Sequence, residues 1–106
     1  MERKTILIVE KDGKERQKLD QFLMLEYDIV LADDGRQALS EVQKRINELA
    51  AVILDWDISV VSAYQILQVM HTKGMTKDIQ VFVTTHEADF EIDSKICGLG
   101  ARAVIH

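Results

Sequence analysis

Short apolar runs rich in Val, Ile and Leu alternate along this chain with segments of helical spacing, and this alternation limits the folds that it can adopt. The predicted strands are Thr5 to Val9, Tyr27 to Ala32, Ala51 to Leu54, Gln80 to Thr84 and Ala103 to Ile105. Helical patterns occupy the stretches between them. Strict strand–helix alternation with short loops predicts a parallel sheet with right-handed crossovers, and hence a doubly wound, three-layer α/β domain.

Apolar residues at helical spacing indicate which face of each helix packs on the sheet. The helices and their apolar positions are Lys14 to Leu25 (Leu19, Phe22, Leu23, with Met24 as a further candidate), the helix after Asp33-Asp34-Gly35 (Ala38, Leu39, Val42, Ile46), Ala63 to His71 (Ile66, Leu67, Met70) and Asp89 to Leu99 (Phe90, Ile92, Ile96, Leu99). Asp12 is a candidate N-cap for the first helix, and Gly74 is a stop signal after the third.

Composition excludes several classes of protein. The chain has 106 residues, which is enough for one domain, and a net charge of −5 that argues against a nucleic-acid-binding surface. A single cysteine, Cys97, excludes an internal disulfide, and we expect it to be a small buried side chain on a helix. No apolar span approaches the roughly 18 residues needed to cross a membrane, so we expect a cytoplasmic protein without membrane contact.

The sequence ends directly after the fifth predicted strand. With no helix following this strand, part of one sheet face should lack its cover. We therefore interpret residues 1–106 as a single domain that is truncated at its C-terminus, its last helix belonging to a longer parent. An uncovered apolar face would favour a homodimer or a domain swap.

Two of the predicted strands end at carboxylates. The first runs into Glu10-Lys11-Asp12 and the third into Asp55. The carboxyl ends of parallel strands are where ligands and chemistry gather in an open α/β sheet. Mg²⁺ prefers oxygen ligands and keeps several of its water ligands, so the pattern predicts a magnesium site. The ammonium group of Lys11 lies within this acidic cluster in the sequence.

Read in order, these segments resemble the receiver domain of two-component response regulators over nearly the whole chain. The resemblance rests on five motifs: Thr5-Ile-Leu-Ile-Val-Glu-Lys-Asp12, Ala32-Asp-Asp-Gly35 with the Ala38-Leu39 that follows, Val52-Ile-Leu-Asp55, Val81-Phe-Val-Thr-Thr85 and Gly98-Leu-Gly-Ala101. Each motif alone is weak, whereas five in the right order and spacing are specific. The resemblance implies a flavodoxin-like five-stranded sheet of order 2-1-3-4-5.

The resemblance also implies a role for individual residues. The resemblance makes Asp55 the phosphoacceptor. It makes Thr85 the residue whose hydroxyl holds a phosphoryl oxygen and transmits the conformational change, and Thr84, one residue earlier, is the alternative candidate for this role. Glu10, Asp12, Asp55 and the backbone carbonyl of Asp57 become the ligands of Mg²⁺. The implied partners are a histidine kinase or phosphotransfer protein, and an effector domain in a longer parent. Such a domain is regulatory, with at most self-catalysed phosphoryl transfer and dephosphorylation.

The chain departs from the family pattern at several positions. Lys11 replaces a residue that contacts the metal as a carboxylate, so its ammonium would repel Mg²⁺ and could pair with Asp55 as an internal cation. The competing interpretation is that its long stem extends to solvent. Ser59 stands where the family has proline, and Val104 where it has the switch aromatic. The family's phosphoryl-binding lysine would follow His106, which we interpret as a residue without a role.

Several functional hypotheses stay open at this point. The first is a receiver that accepts phosphate weakly on Asp55, and the second is a pseudo-receiver that Lys11 holds in one state and that binds proteins without phosphorylation. A flavodoxin-like nucleotide or flavin binder would need a Gly-rich or Ser/Thr-rich phosphate loop after the first strand, and Glu10 to Lys14 is charged instead. The string Leu54-Asp-Trp-Asp57 also resembles the receiver-like N-terminal wing of amino-acid decarboxylases, an assembly domain.

Overall fold

The computed structural model describes residues 4–58, 61–86 and 89–106, with the backbone alone at positions 15, 16, 19, 20 and 22. Its elements are β1 (Thr5–Val9), α1 (Gly13–Leu23), β2 (Asp28–Ala32), α2 (Gly35–Lys44), β3 (Leu49–Asp55), α3 (Ala63–Thr72), a 3₁₀ turn (Met75–Lys77), β4 (Gln80–Thr84), α4 (Phe90–Gly98) and β5 (Ala103–Ile105). The predicted side-chain positions of Leu19 and Phe22, and the predicted role of Ser59, lie outside what is described.

The five strands form one parallel sheet in the order β2-β1-β3-β4-β5, as predicted. Along the central strands Val9 lies opposite Leu54, and Asp55 lies opposite Thr84. Because all strands run in one direction, their carboxyl ends meet at a single edge of the sheet, which we call the carboxyl edge. The residues that follow β1, β3 and β4 are therefore brought together there.

One face of the sheet is covered by helices along its central strands. Its residues alternate along the strands, and Val52, Leu54, Val81 and Val83 have no exposed surface. They form one apolar cluster with buried residues of α2, α3 and α4, including Ala38, Val42, Ile66, Leu67, Met70 and Ile96. Burial of each such aliphatic side chain contributes about 1.5–3 kcal/mol, so this face supplies most of the stability of the domain.

The opposite face is covered over only part of its width. Helix α1 packs on β1 and β2, and the side chains of Ile6 and Ile8 are buried there. Across β3, β4 and β5 the same face is open in the described part of the chain. Ile53 and Phe82 are half-buried, Ile105 is 50% exposed, and a groove of about 1430 Å³ runs along this face toward the amino ends of the strands.

Local sequence explains where the helices begin and end. Helix α3 starts with a capping box in which the Ser62 hydroxyl accepts the Gln65 N–H (3.1 Å) and the Gln65 amide oxygen accepts the Ser62 N–H (3.0 Å). Helix α2 starts at Gly35, where a Cβ would lie 1.7 Å from the Val61 carbonyl oxygen, so no other residue fits. After α4, Gly100 takes the left-handed φ of +95° that turns the chain into β5.

Four predicted buried positions are wrong, each because of its place relative to a helix. Helix α1 ends at Leu23, so Met24 follows the helix and is 53% exposed. Helix α2 ends at Lys44, so Ile46 follows the helix and is 43% exposed. Phe90 is the first residue of α4 and is 87% exposed, because Ile96 and Ile92 further along the helix make the core contact. Cys97 is exposed, since one residue after the buried Ile96 the helix has turned by about 100°.

Within the described ranges, no helix combines the length and the apolar character that crossing a membrane requires.

Candidate functional site

Buried polar side chains are concentrated at the carboxyl edge. Glu10 follows β1, Asp55 ends β3 and Thr85 follows β4, and their exposed fractions are 8%, 3% and 7%. Burying polar groups costs free energy unless they are paired, so such a concentration is a common property of functional sites. All three were predicted as site residues from the sequence, and the parallel topology explains why they lie at one edge.

Backbone hydrogen bonds extend the sheet past the ends of the strands and hold these residues in place. The Trp56 N–H donates to the Thr84 carbonyl (2.9 Å), which fixes the chain just after Asp55. The Thr85 N–H donates in turn to the Ile105 carbonyl (3.0 Å). Main-chain hydrogen bonds thus connect the residue after β3, the two residues at the end of β4 and the end of β5.

Glu10 and Asp55 form a hydrogen-bonded pair of carboxyl groups. Burial and the neighbouring Asp55 carboxyl raise the pKa of Glu10 from 4.5 to about 7, although the Asp12 N–H, which favours the charged form, opposes the shift. The Asp55 carboxyl beside Glu10 disfavours the charged form of Glu10, which adds to the effect of burial. A bound cation would relieve this unfavourable concentration of negative charge.

Two tight turns orient these carboxylates. The Asp57 N–H donates to Asp55 Oδ1 (3.2 Å), and the Asp12 N–H donates to Glu10 Oε1 (3.2 Å). Asp12 itself is exposed, and its Oδ1 accepts the Lys14 N–H (2.9 Å) at the start of α1, in agreement with the predicted capping role. Asp57 is exposed as well, with its backbone next to the site.

The residues at the carboxyl edge have the chemistry that a magnesium ion requires. The structure brings two carboxylates together, Glu10 and Asp55, and among the described residues no group of three or more potential ligand side chains could hold a metal. Mg²⁺ is commonly held by one or two carboxylates and completes its shell with water, so this donor set suits it. Asp12 is exposed next to these residues, and its role as a ligand stays a prediction.

Lys11 does not act as an internal cation in this structure. Its side chain is exposed, and the ion pairs found in the described part of the chain do not include it. The alternative interpretation, in which the aliphatic stem carries the ammonium to solvent, agrees with what is seen. An exposed ammonium close to the site still contributes a positive, solvent-screened potential.

The two threonines at the end of β4 differ in environment. Thr84 is the last residue of the strand, is half-buried and lies opposite Asp55. Thr85 follows the strand and is 7% exposed. Thr85 stays our prediction for the residue whose hydroxyl holds a phosphoryl oxygen, because its position in the sequence relative to Asp55 matches the family motif. The burial of Thr85 at the carboxyl edge is compatible with this role.

Two contacts of α4 were not predicted. His106 Nε2 lies 2.7 Å from Asp93 Oδ2, so the residue that we interpreted as having no role contacts α4. Lys95 Nζ lies 5.0 Å from the centre of the Tyr64 ring, within the range of a cation–π interaction between α4 and α3. The His106 contact joins residues 13 apart across a turn, a separation at which sequence patterns carry no signal.

Comparison with known structures supports the fold, whereas comparison with known sequences finds no match. No protein-family model matches the chain, and no curated protein matches it either. Solved structures do. A signal receiver domain from Vibrio parahaemolyticus superposes with a TM-score of 0.87 at 19% identity, over 98% of this chain and 78% of that one.

Two further structures agree. The chemotaxis protein CheY4 of Vibrio cholerae matches with a TM-score of 0.85 at 22% identity, over 98% of this chain and 86% of that one. The CheX–CheY–BeF₃–Mg²⁺ complex from Borrelia burgdorferi matches with a TM-score of 0.84 at 20% identity, over 96% of this chain and 76% of that one. At these identities the likeness establishes architecture, and it agrees with the resemblance seen in the sequence motifs. The chain therefore has the flavodoxin-like fold of the response-regulator receiver domain.

Proposed function

We propose that this chain is a receiver module of two-component signalling that accepts a phosphoryl group on Asp55. The observation that carries the proposal is the position of Asp55, which is 3% exposed at the carboxyl end of the central strand β3 and in hydrogen-bond contact with Glu10. A carboxylate held there is a suitable nucleophile, since an aspartyl phosphate is one of the covalent intermediates that carboxylates form.

The phosphoryl donor is a histidine kinase or a phosphotransfer protein. An Asp55 oxygen attacks the phosphorus of the donor's phosphohistidine, the phosphorus–nitrogen bond breaks, and the histidine nitrogen leaves with the electron pair. The products are an acyl phosphate on Asp55 and an unmodified donor histidine. The chain is regulatory, because the only turnover in this scheme is the gain and hydrolysis of its own phosphoryl group.

Mg²⁺ is the cofactor that the site would use. It would be held by Glu10 and Asp55 with water and the Asp57 carbonyl, and when bound it neutralises charge on the transferred phosphoryl oxygens. The proposal is supported by the raised pKa of Glu10, since such a carboxyl pair gains from a cation. It is also supported by the Borrelia burgdorferi complex, in which BeF₃ and Mg²⁺ accompany a protein of the same fold.

Phosphorylation would change which proteins the domain binds. Thr85 would hold a phosphoryl oxygen through its hydroxyl, and its main-chain link to Ile105 would pass the change to β5. The surface affected would be that of α4 and β5, and the recipient an effector domain of a longer parent or a separate protein. We place this activity in the cytoplasm.

A second candidate is a protein-interaction module of the same fold that is not phosphorylated. It is favoured by the pairing of only two carboxylates, by the exposed ammonium of Lys11 beside them and by the aliphatic Val104 at the position of the switch aromatic. In this case the open face of β3, β4 and β5 would be the functional surface, covered by a further helix of a longer parent or by a second copy.

A beryllofluoride titration with and without Mg²⁺ distinguishes the two candidates. Trp56 adjoins Asp55 and is half-buried, so its fluorescence should report binding at the acceptor. We expect a saturable change that needs both beryllofluoride and Mg²⁺ and that disappears in Asp55→Asn. No change in Trp56 fluorescence or in the amide NMR spectrum, with an established receiver responding in parallel, would contradict phosphorylation and favour the interaction module.

A further inference from the structure

One side-chain pair ties the end of β5 to α4. The Nε2 atom of His106 lies 2.7 Å from Asp93 Oδ2, and the two side chains are 38% and 28% exposed. The other carboxylate oxygen, Asp93 Oδ1, is buried and has no hydrogen-bond partner within the described part of the chain. His106 is thus the group through which the Asp93 carboxylate is stabilised, and each residue restrains the other.

The segment that this pair holds is otherwise weakly anchored. Strand β5 has three residues, pairs only with β4 and forms one border of the sheet. Its last residue, Ile105, is 50% exposed, so apolar packing fixes it poorly. A short border strand with few buried contacts frays more readily than the central strands.

That same segment supports the acceptor edge. The Ile105 carbonyl accepts the Thr85 N–H at 3.0 Å, and this carbonyl belongs to the residue next to His106. Any displacement of the end of β5 therefore acts directly on the backbone of Thr85. On the other side, α4 is anchored by the buried Ile96 and by the Lys95 contact with the Tyr64 ring, so it offers a firm point of attachment.

We propose that Asp93 and His106 are positioning residues that hold the Ile105 carbonyl against Thr85 and thereby couple the acceptor edge to helix α4. This inference deepens the proposed function, on which its signalling consequence rests. Val104 offers no aromatic ring to connect the site with α4, and the polar pair provides a physical connection between the same elements. The positioning itself is a property of the unmodified chain.

The positioning is tested by amide hydrogen exchange measured by NMR on the whole 106-residue chain. The variants are Asp93→Asn and His106→Gln, and the controls are Glu91→Gln, on the same helix, and His71→Gln, at the exposed end of α3. Loss of a charge-assisted hydrogen bond should speed exchange at Thr85 about fivefold or more in both variants. Amides of β1 should keep their rates, which shows that the fold is intact.

Two results would overturn the positioning role. One is a Thr85 exchange rate in both variants that stays within about twofold of the parent chain. The other is an equal acceleration in the two controls, which would mean that any change of charge near α4 has this effect.

The coupling is tested separately with beryllofluoride and Mg²⁺. In the parent chain the amide resonances of Thr85 and of α4 should shift together, whereas in Asp93→Asn and His106→Gln the Thr85 shift should remain and the α4 shifts should fall at least about twofold. Undiminished α4 shifts in these variants would contradict the coupling. If the parent chain itself gives no response, the proposed function fails, and the exchange experiment still decides the positioning.

Discussion

The acidic side chains at the two edges of the sheet differ in their exposure to solvent. At the amino edge Asp28, Glu48 and Asp78 are exposed, so their charges are accessible to water, and Glu48 also contacts Arg45 Nη1 at 3.1 Å. At the carboxyl edge Glu10 and Asp55 are buried in contact with each other, although two like charges repel and burial disfavours both. The carboxyl edge thus differs from the amino edge in holding two acidic side chains, Glu10 and Asp55, whose burial costs free energy.

This difference indicates which edge has been shaped for function. A chain under pressure for stability alone would solvate its acids, as the amino edge does, or replace them with apolar residues. Retaining a buried carboxyl pair is explained if the pair binds a cation and one of its members reacts. Each of the following predictions changes a residue at the carboxyl edge and compares it with a matched residue elsewhere.

The largest effect is expected from Asp55→Asn. It removes the nucleophile, so labelling by acetyl phosphate and the beryllofluoride response should both be lost completely. Folding should survive, because the neutral amide relieves the repulsion with Glu10; we expect the free energy of unfolding to be equal or about 1 kcal/mol higher by urea denaturation. Asp78→Asn, at the amino edge, should leave labelling unchanged, and a matching loss there would remove the distinction between the edges.

The next effect concerns the hydroxyl groups after β4. Thr85→Ala should weaken beryllofluoride binding about tenfold, which corresponds to the loss of one hydrogen bond to a charged group. Thr84→Ala, the neighbouring change, should weaken it less than about threefold. Fluorescence titration of both variants checks this, and a larger loss at Thr84 would show that the assignment is shifted by one residue.

The dependence of stability on pH should come largely from Glu10. Its pKa of about 7 in the folded chain lies above 4.5, so the folded state binds the extra proton between these values. The stability from this group is therefore fully present below about pH 4.5 and is lost as pH rises through about 7, by about 1–3 kcal/mol. Urea denaturation at several pH values without Mg²⁺ measures it. Glu10→Gln should flatten the profile, whereas Glu48→Gln at the amino edge should not.

The smallest effect is expected from Lys11→Asp. Replacing an exposed ammonium near the site by a carboxylate should tighten Mg²⁺ binding about threefold, a modest gain because solvent screens the charge. Lys73→Asp, distant from this edge, makes the same change of charge and should alter the affinity by less than about twofold. Calorimetric titration with Mg²⁺ compares the two, and equal effects would mean that only net charge matters.

The fold was largely predictable from the sequence because its signals are local and repeated. The ends of every strand and α-helix were predicted to within a few residues. The reason is that β-branched runs alternating with segments of 3.6-residue periodicity are compatible with few other arrangements of secondary structure. The 3₁₀ turn at Met75–Lys77 was missed. The capping box at Ser62 and Gln65 was readable as Ser-x-x-Gln but was not used.

The candidate site was only partly predictable. The positions of Glu10, Asp55 and Thr85 follow from strand order, which places the ends of β1, β3 and β4 side by side. The exposure of Lys11 and the raised pKa of Glu10 depend on the direction of side chains after a strand has ended, where alternation no longer applies. The contact of His106 with Asp93 depends on where α4 docks, and no periodicity encodes that.

The proposal that Asp55 accepts phosphate is tested most directly by chemical mapping. The chain is incubated with acetyl phosphate and Mg²⁺, the acyl phosphate is trapped by borohydride reduction, and the modified residue is located by peptide mass spectrometry. We expect modification at Asp55 that requires Mg²⁺ and is absent from Asp55→Asn. Absence of modification while an established receiver is labelled in parallel, or modification at another carboxylate, would contradict the assignment of Asp55 as the phosphoacceptor.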